Sequence, residues 1–237
     1  MRSQPAPLPT FEGVRLSYRT GPNRQAAPSH WIGGGLRAYA RAVPTPERNQ
    51  RYRDVAARRQ QGVVVLEDIH DPHNAEAVFR SCDAFGFQRV CLIFDEEEPF
   101  DPRRVGKLSS SSANKWLDFE VYASARECLG KLQAEGYEVA ATVADGGAEE
   151  LYTAELTAPR IAVMLGNENR GLSPEAVALA DRKLTIPMAG MVRSLNLSVT
   201  AAIVLFEVTR QRQRAGLEQY LLDADEREAL AKALSER

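Results

Sequence analysis

Short apolar runs that alternate with helical segments are the feature of this 237-residue chain that most limits its fold. Five runs have the length and the apolar content of buried strands: residues 63–66, 90–94, 139–143, 161–165 and 184–186. The segments between them predict helices near residues 74–85, 124–135 and 173–181. This alternation favours an α/β fold built on a parallel sheet with helices packed on its faces.

Local signals mark the ends of several predicted elements. Gly136 is expected to end the helix that precedes it, and Ser173 followed by Pro174 is a typical helix start. A basic helix is predicted at residues 46–60 and a charged helix at 223–235. We therefore divide the chain into a basic, partly flexible N-terminal extension with its helix (1–60), a central domain (61–217) and a C-terminal helix (218–237).

Composition limits the class of protein. The three cysteines, Cys82, Cys91 and Cys128, are an odd number without C-x-x-C spacing, which predicts reduced thiols, no metal site and a cytoplasmic location. No run of 18 apolar residues predicts a membrane span, and the N-terminus lacks the apolar core of a signal peptide.

Charge is concentrated at the N-terminal end. Residues 1–60 contain eleven arginines, no lysine and three acidic residues, which gives that segment a net charge of +8 and the remainder −10. Arginine binds phosphate groups bidentately and stacks on bases, so the segment fits an RNA-binding arm with Arg51, Arg58 and Arg59 among its contacts. A solvated basic arm, or a genome that favours arginine codons, would explain the same composition.

The turn after the first predicted strand contains Asn74, six residues before Arg80. Ligands of open α/β sheets bind at the carboxyl ends of strands, where this turn lies. On a helix Arg80 would lie roughly 9 Å beyond Asn74, and its long side chain could reach back toward the strand end. A helix-capping Asn with a surface Arg is the alternative. For His70 and His73 the turn favours a packing or turn role over a metal site.

A second polar loop, Gly166-Asn167-Glu168-Asn169-Arg170-Gly171, follows the fourth predicted strand. It lacks the G-K-[ST] ending of a phosphate-binding P-loop and the G-x-G-x-x-G pattern of a dinucleotide site. Taken alone, the loop could be only a turn that leads into a capped helix.

The third segment, residues 186–214, couples a Pro/Gly loop to Ser194-Leu195-Asn196 and then to an apolar helix. Val199, Ala202, Ile203 and Phe206 have the spacing of one helix face, which predicts packing on the core. Arg210 and Arg212 lie near the helix end, where cations suit the helix dipole and could equally contact RNA phosphates.

Together the three segments resemble the signature blocks of the SpoU-type RNA ribose 2′-O-methyltransferases of the SPOUT superfamily. The blocks occur in the family's order and the resemblance covers about 70% of the chain, from residue 52 to 217. The H-x-P-H-N turn, I-P-M-x-G-M-V-x-S-L-N and R-Q-R look most like the branch that methylates guanosine 18 of tRNA. Two features depart from that branch: the extension 1–50, and the acidic 96–98 with the serines 109–112.

The resemblance implies a fold and partners. It implies a C-terminal trefoil knot, S-adenosylmethionine bound in that knot, an RNA substrate and a homodimer formed through the knot region. A 23S rRNA ribose methyltransferase and a non-catalytic RNA-binding knot protein are the alternatives.

The resemblance also implies roles for individual residues. The catalytic candidates are Arg80, Asn74, Glu168 and Asn196. The cofactor candidates are Thr142, Leu165, Gly166, Ile186, Met188, Ser194 and Leu195. Because a free guanidinium keeps its proton at neutral pH, Arg80 is either deprotonated by an unusual site or a cation that clamps a phosphate and orients the 2′-hydroxyl.

Overall fold

The computed structural model describes residues 44–105, 113–144 and 147–237, which are built around one parallel sheet. Its seven strands are ordered β3-β2-β1-β6-β4-β7-β5, and every ladder between neighbouring strands is parallel. The strands are β1 Gln60–Glu67, β2 Phe87–Ile93, β3 Asp118–Tyr122, β4 Glu138–Thr142, β5 Glu149–Glu150, β6 Ile161–Leu165 and β7 Arg182–Thr185.

Six α-helices accompany the sheet within the described ranges. They are α1 Pro46–Ala56, α2 Pro72–Phe85, α3 Ala125–Ala134, α4 Pro174–Leu179, α5 Leu197–Ala215 and α6 Ala224–Ser235. Two short 3₁₀ turns lie at Ala113–Lys115 and Leu217–Tyr220. In the part of the chain that the structure covers, no helix is long and apolar enough to cross a membrane.

The buried core lies on both faces of the sheet, because side chains alternate along each strand. Val64 and Leu66 of β1 face α2 and α5, where Phe79 and Leu205 are fully buried. The intervening Val63 and Val65 face α3 and α4. The prediction of a parallel α/β sheet with helices on both faces is therefore confirmed.

A third, smaller cluster joins α1 to α6. Tyr52 and Ala56 of α1 pack against Leu230 and Leu234 of α6. Residues 43–237 form one compact unit, and both α1 and α6 belong to it. The predicted extension up to residue 43 lies outside the described residues, as do Ser109–Ser112.

Several predicted boundaries change. The sequence missed β3 and β5, because β3 has only five residues, of which Asp118 and Glu120 are acidic, and β5 has only two residues. The basic helix ends at Ala56 rather than residue 60, since Gln60 already belongs to β1. Helix α3 ends before Gly136, whose φ is +83°, as predicted.

The start of α2 is also corrected. Asp71, not Asn74, is its N-cap: the Asp71 carboxylate accepts the amide of His73 at 2.9 Å. Pro72 occupies the first helical position, which its fixed φ favours. Asn74 therefore lies inside the first turn, and its side chain is available for contacts outside the helix.

Candidate active site

One chain of hydrogen bonds links the three signature segments at the carboxyl ends of β1 and β6. The Asn74 amide donates to Glu168 at 2.9 Å, and its carbonyl oxygen accepts from the Asn196 amide at 3.4 Å. Asn196 is also the N-cap of α5, where its oxygen accepts the amide of Ser198. Three of the four predicted catalytic residues are thus brought together, although more than 90 residues separate the first from the second.

The Glu168 carboxylate is the centre of this chain. Besides Asn74, it accepts the backbone amides of His70 at 3.0 Å and Asp71 at 3.3 Å. Burial raises the pKa of Glu168, but these hydrogen bonds outweigh burial, so the net pKa lies below its usual value. The site therefore contains a fixed anion at neutral pH.

The loop that carries Glu168 closes tightly on itself. The backbones of Asn167 and Gly171 bond to each other in both directions, at 3.0 and 2.9 Å. A Cβ on Gly166 would overlap with the backbone of Gly171 and Leu172. The absence of a side chain at Gly166 is therefore required by the loop's own closure, whatever ligand approaches it.

A cavity of about 350 Å³ lies beside this loop. Three segments line it: the end of β4, the loop from β6 to α4, and the segment from β7 into α5. All seven predicted cofactor residues are in its wall: Thr142, Leu165, Gly166, Ile186, Met188, Ser194 and Leu195. The structure thus places around one space residues that lie up to 53 positions apart in the sequence.

The chemistry of the cavity suits a nucleoside-like molecule. Its volume is in the range of small-ligand sites, and Leu165, Leu184 and Ile186 provide apolar walls for a flat ring. Glu168, Arg170 and Arg193 provide charge at the same wall. The Thr142 hydroxyl donates its proton to the Met164 carbonyl at 2.9 Å, so toward a ligand it can act only as an acceptor.

Arg80 is placed differently from the other catalytic candidates. It lies on an exposed face of α2, and no hydrogen bond or ion pair to another described residue engages its guanidinium. The structure therefore leaves all of its donors available, but it does not join Arg80 to the Asn74–Glu168 chain.

Two arginines predicted to contact RNA are buried instead. Arg59 is 2% exposed and pairs with Asp83 at 2.5 Å, and Arg212 is fully buried. Arg212 donates to the carbonyls of Gln61 and Ala158 and to the side chain of Gln60. The prediction of RNA contacts for these two is wrong in this fold, because their donors already join α2 and α5 to the surrounding loops.

The other predicted RNA contacts remain accessible. Arg51 and Arg58 are exposed on and just after α1. Arg210 is 34% exposed at its side chain, but its Nε and one of its two terminal nitrogens, Nη2, donate to the Glu207 carboxylate at 2.7 and 2.6 Å. Any phosphate that approached Arg210 would therefore compete with a carboxylate.

Sequence reasoning missed several residues that shape the site. Glu67, the last residue of β1, is 2% exposed and accepts both the amide and the hydroxyl of Ser173, at 2.8 and 2.7 Å. A carboxylate that ends an otherwise apolar strand is the signal that could have found it. Asn167 was missed as the residue that organises its own loop, and Arg193 as a cation in the cavity wall.

Metal ligands are not grouped in this region. Within residues 44–105, 113–144 and 147–237, no three His, Cys, Asp or Glu side chains are arranged to hold one metal ion. The three cysteines are buried as free thiols. His70 and His73 lie in the exposed turn before α2 and at its start.

Comparison with known proteins connects this geometry to a family. The family model described as SpoU rRNA Methylase family matches residues 61–206. A relative from Thermus thermophilus, named tRNA (guanosine(18)-2′-O)-methyltransferase, is 39% identical over 174 residues, which cover 73% of this chain and 87% of the relative.

Solved structures give the same result. The A. aeolicus TrmH/SpoU tRNA modifying enzyme superposes with a TM-score of 0.72 at 29% identity, over 80% of this chain and 95% of its own. The SpoU methyltransferase AviRb from Streptomyces viridochromogenes, solved in complex with the cofactor AdoMet, gives a TM-score of 0.57 at 26% identity, over 68% and 61% of the two chains.

Proposed function

Since this chain belongs to the SpoU methylase family, we propose that it methylates the ribose 2′-hydroxyl of guanosine 18 in tRNA, with S-adenosylmethionine as the methyl donor. The observation that carries the proposal is the hydrogen-bond chain from Glu168 through Asn74 to Asn196, beside the cavity. The name and the 39% identity of the Thermus thermophilus relative support the choice of tRNA and of this nucleotide.

The residues of the cavity divide the work of binding. Leu165, Ile186 and Leu195 would hold the adenosine part of the donor, and the Glu168 anion favours a nearby positive charge. When bound, S-adenosylmethionine would supply an electrophilic methyl group to the ribose 2′-oxygen, with the sulfur–methyl bond broken, S-adenosylhomocysteine as the leaving group and the 2′-hydroxyl proton released to solvent.

The catalytic groups of the chain orient the ribose. Asn74, with its amide fixed by Glu168 and its carbonyl facing Asn196, presents a rigid polar edge at the strand ends. Arg80, exposed and without a partner among the described residues, is available as a cation for an RNA phosphate next to the target ribose. Holding the nucleotide in this way would place the 2′-hydroxyl for attack, and that positioning accounts for much of the rate enhancement.

Exposed arginines define the proposed RNA surface. Arg51 on α1 is exposed, and Arg58 just after α1 is exposed with only its Nε bonded, to the Asp54 carbonyl. Arg210 would contribute only where a phosphate displaces Glu207. Arg59 and Arg212 are not part of this surface because they are buried.

Label transfer tests the proposed substrate directly. The protein is incubated with methyl-labelled S-adenosylmethionine and a tRNA transcript, and the labelled ribose is mapped. The matched control is the same transcript with a 2′-deoxyguanosine at position 18. We expect label at position 18 of the first transcript and none in the control. Transfer to 23S rRNA fragments and not to tRNA would reassign the substrate to rRNA.

Calorimetry separates an enzyme from a non-catalytic RNA-binding protein of the same fold. We expect S-adenosylmethionine to bind, and an Ile186→Glu substitution in the cavity wall to abolish that binding. A protein that binds tRNA but shows no heat with S-adenosylmethionine would exclude the methyltransferase function.

We also propose a homodimer. Met191 and Val192 in the loop before α5 are 100% and 61% exposed, and Val199 and Phe206 on α5 are 45% and 54% exposed. Val199 and Phe206 are seven residues apart, so they lie on one stripe of the helix. The prediction that this stripe packs on the core is wrong for these two residues, because the buried face of α5 carries Leu197, Ala201, Val204, Leu205 and Val208 instead. A second copy that covers this stripe would remove the apolar surface from water. Light scattering should give twice the chain mass, and a Phe206→Glu variant should be monomeric.

The chain path and the location complete the proposal. The segment 186–196 is proposed to pass through an earlier loop and form a trefoil knot, and the protein is proposed to act in the cytoplasm. The support for the knot is the match of residues 61–206 to the SpoU family model, since the knot is what the resemblance to that family implies. An experimental density map that traces residues 186–196 outside every earlier loop would contradict it.

A further inference from the structure

An acidic turn, Asp95-Glu96-Glu97-Glu98, follows β2 and reaches the active-site loops. In the sheet, β2 is separated from β6 by β1. A side chain from the end of β2 must therefore cross the turn after β1 to touch the loop after β6. Glu97 makes this crossing.

Hydrogen bonds to Asp68 fix the backbone of the acidic turn. Asp68 follows β1 with φ +50°, the only positive φ outside glycine in the described ranges. One oxygen of its carboxylate accepts the amides of Asp95, Glu96 and Glu97, at 2.8, 3.1 and 3.1 Å. Because three amides converge on one oxygen, the position of Glu97 is set by backbone bonds rather than by a free surface side chain.

The Glu97 carboxylate contacts both signature loops. One oxygen lies 3.1 Å from Nδ1 of His70, in the turn after β1. The other accepts from Asn167 at 3.3 Å and from Arg170 at 3.0 Å, in the loop after β6. The Glu97 side chain is 23% exposed, and Glu96 reinforces the contact by pairing with Arg170 at 2.7 Å.

The partners of Glu97 are the residues that place Glu168. The His70 amide donates to Glu168, and Asn167 accepts the amides of Asn169 and Arg170, which shapes the backbone on either side of Glu168. We propose that Glu97 is a positioning residue that holds these two loops at the separation required for the Glu168–Asn74 hydrogen bond. The inference deepens the proposed methyltransferase function and rests on it.

We call the contacts of Glu97 with His70, Asn167 and Arg170 the clamp. The contact between Glu97 and His70 makes the clamp sensitive to pH. The hydrogen bond with Glu97, followed by the Glu97 charge, raises the pKa of His70, and Glu168 and Asp71 act in the same direction. Arg170 is the cation on the other side of Glu97, with which it forms an ion pair at 3.0 Å. Because the folded pKa lies above the unfolded one, the attraction is complete below about pH 6.5 and is lost as the pH rises through the raised value.

A Glu97→Gln variant tests the clamp, with Glu98→Gln as its matched control. Glu98 lies in the same turn, is exposed and has no hydrogen bond or ion pair to another described residue. In single-turnover methyl transfer with both substrates saturating, we expect Glu97→Gln to be about tenfold slower, since charge-assisted bonds are lost. Its dissociation constant for S-adenosylmethionine should change less than about threefold, since most of the cavity wall is untouched. Glu98→Gln should match the wild type in both measurements.

Two further measurements distinguish positioning from a general loss of structure. The ratio of wild-type to Glu97→Gln rates should fall as the pH rises through the raised pKa of His70, and the effect of Glu97→Gln should shrink in a His70→Ala background. Titration of His70 by NMR should show a lower pKa in Glu97→Gln and no change in Glu98→Gln.

The outcomes separate the two proposals. If wild-type protein transfers label and Glu97→Gln is as fast as Glu98→Gln, the positioning role is wrong and the methyltransferase function stands. If wild-type protein transfers no label to any RNA, the proposed function fails, and an unchanged His70 titration would overturn the clamp as well. A Glu97→Gln protein that unfolds is replaced by Glu97→Asp, for which a rate equal to that of wild type across the pH range would count against the inference.

Discussion

Arg80 on α2 and Arg212 on α5 stand on two helices that pack against each other, yet their environments are opposite. Arg80 is exposed, and no described residue uses its donors. Arg212 is fully buried, donates to four oxygen atoms and lies 4.8 Å from the ring centre of Tyr220. An arginine side chain is thus available for hydrogen bonds to a ligand at position 80, whereas at position 212 its hydrogen bonds stabilise the fold.

The difference shows how a buried cation can be kept without a carboxylate. No acidic side chain in the described ranges pairs with Arg212, and burial lowers its pKa to about 10. That value still leaves the guanidinium charged at neutral pH, where the backbone carbonyls of Gln61 and Ala158 and the face of Tyr220 offset its lost hydration. Arg212 therefore joins α5 to β1 and to the loop before β6.

Replacing Arg80 should give the largest effect on activity. We expect Arg80→Ala to reduce the rate of methyl transfer by about 10²–10³-fold, the range for removing one group that stabilises a transition state. The unfolding midpoint and the affinity for S-adenosylmethionine should stay near wild type, because Arg80 is exposed and outside the cavity wall. A large loss of cofactor affinity, measured by calorimetry, would contradict the assigned role.

Replacing Arg212 should have the opposite profile. Arg212→Met removes the buried donors and leaves several carbonyls without partners, so we expect the free energy of unfolding to fall by about 3 kcal/mol. Arg214→Met, at an exposed site two residues later, is the control. Urea unfolding measures both variants. If Arg212→Met were as stable as the control but bound tRNA poorly, the RNA role that we reject for Arg212 would be restored.

Removing Arg51 and Arg58, which lie on and just after α1, should have an intermediate effect. In the double variant Arg51→Ala, Arg58→Ala we expect tRNA affinity to fall about tenfold at low salt and the slope of log affinity against log salt to decrease by about 2. Arg126→Ala, an exposed arginine on α3 that pairs with Glu175, serves as the control. Filter binding over a range of salt concentrations gives the slope, and an unchanged slope would remove α1 from the RNA surface.

Arg210 should give the smallest effect. Because Glu207 already bonds to its guanidinium, Arg210→Ala should change tRNA affinity less than about twofold and stability by about 0.5 kcal/mol or less. Glu207→Gln weakens that competition and should strengthen tRNA binding slightly. A strong loss of binding in Arg210→Ala would place this arginine with Arg51 and Arg58 rather than with Arg212.

Local patterns explain what the sequence predicted well. The strands and the helix start at Ser173 depend on runs of a few residues, and their burial on both faces follows from apolar content. The residues of the cavity wall were predicted from the resemblance to short signature blocks, and each block forms one loop at a strand end. Contacts between residues of one block could therefore be predicted without knowing the rest of the fold.

What the sequence missed depends on partners far along the chain. The burial of Arg59 depends on Asp83, 24 residues away, and that of Arg212 on Ala158, 54 residues away. The contact of Glu97 with Asn167 spans 70 residues. An arginine in a basic motif looks the same in sequence whether solvent or a backbone carbonyl is its neighbour.

The pairing of β1 with β6 has a consequence for how the protein is made. Val63 is registered with Ala162, so the central ladder closes only after about a hundred intervening residues have been synthesised. Asn196 adds its contact to Asn74 across a further stretch of chain. A nascent chain that stops before residue 196 therefore lacks part of the cavity wall and the hydrogen bond between Asn196 and Asn74. The active site can be complete only when the last fifth of the protein is being synthesised.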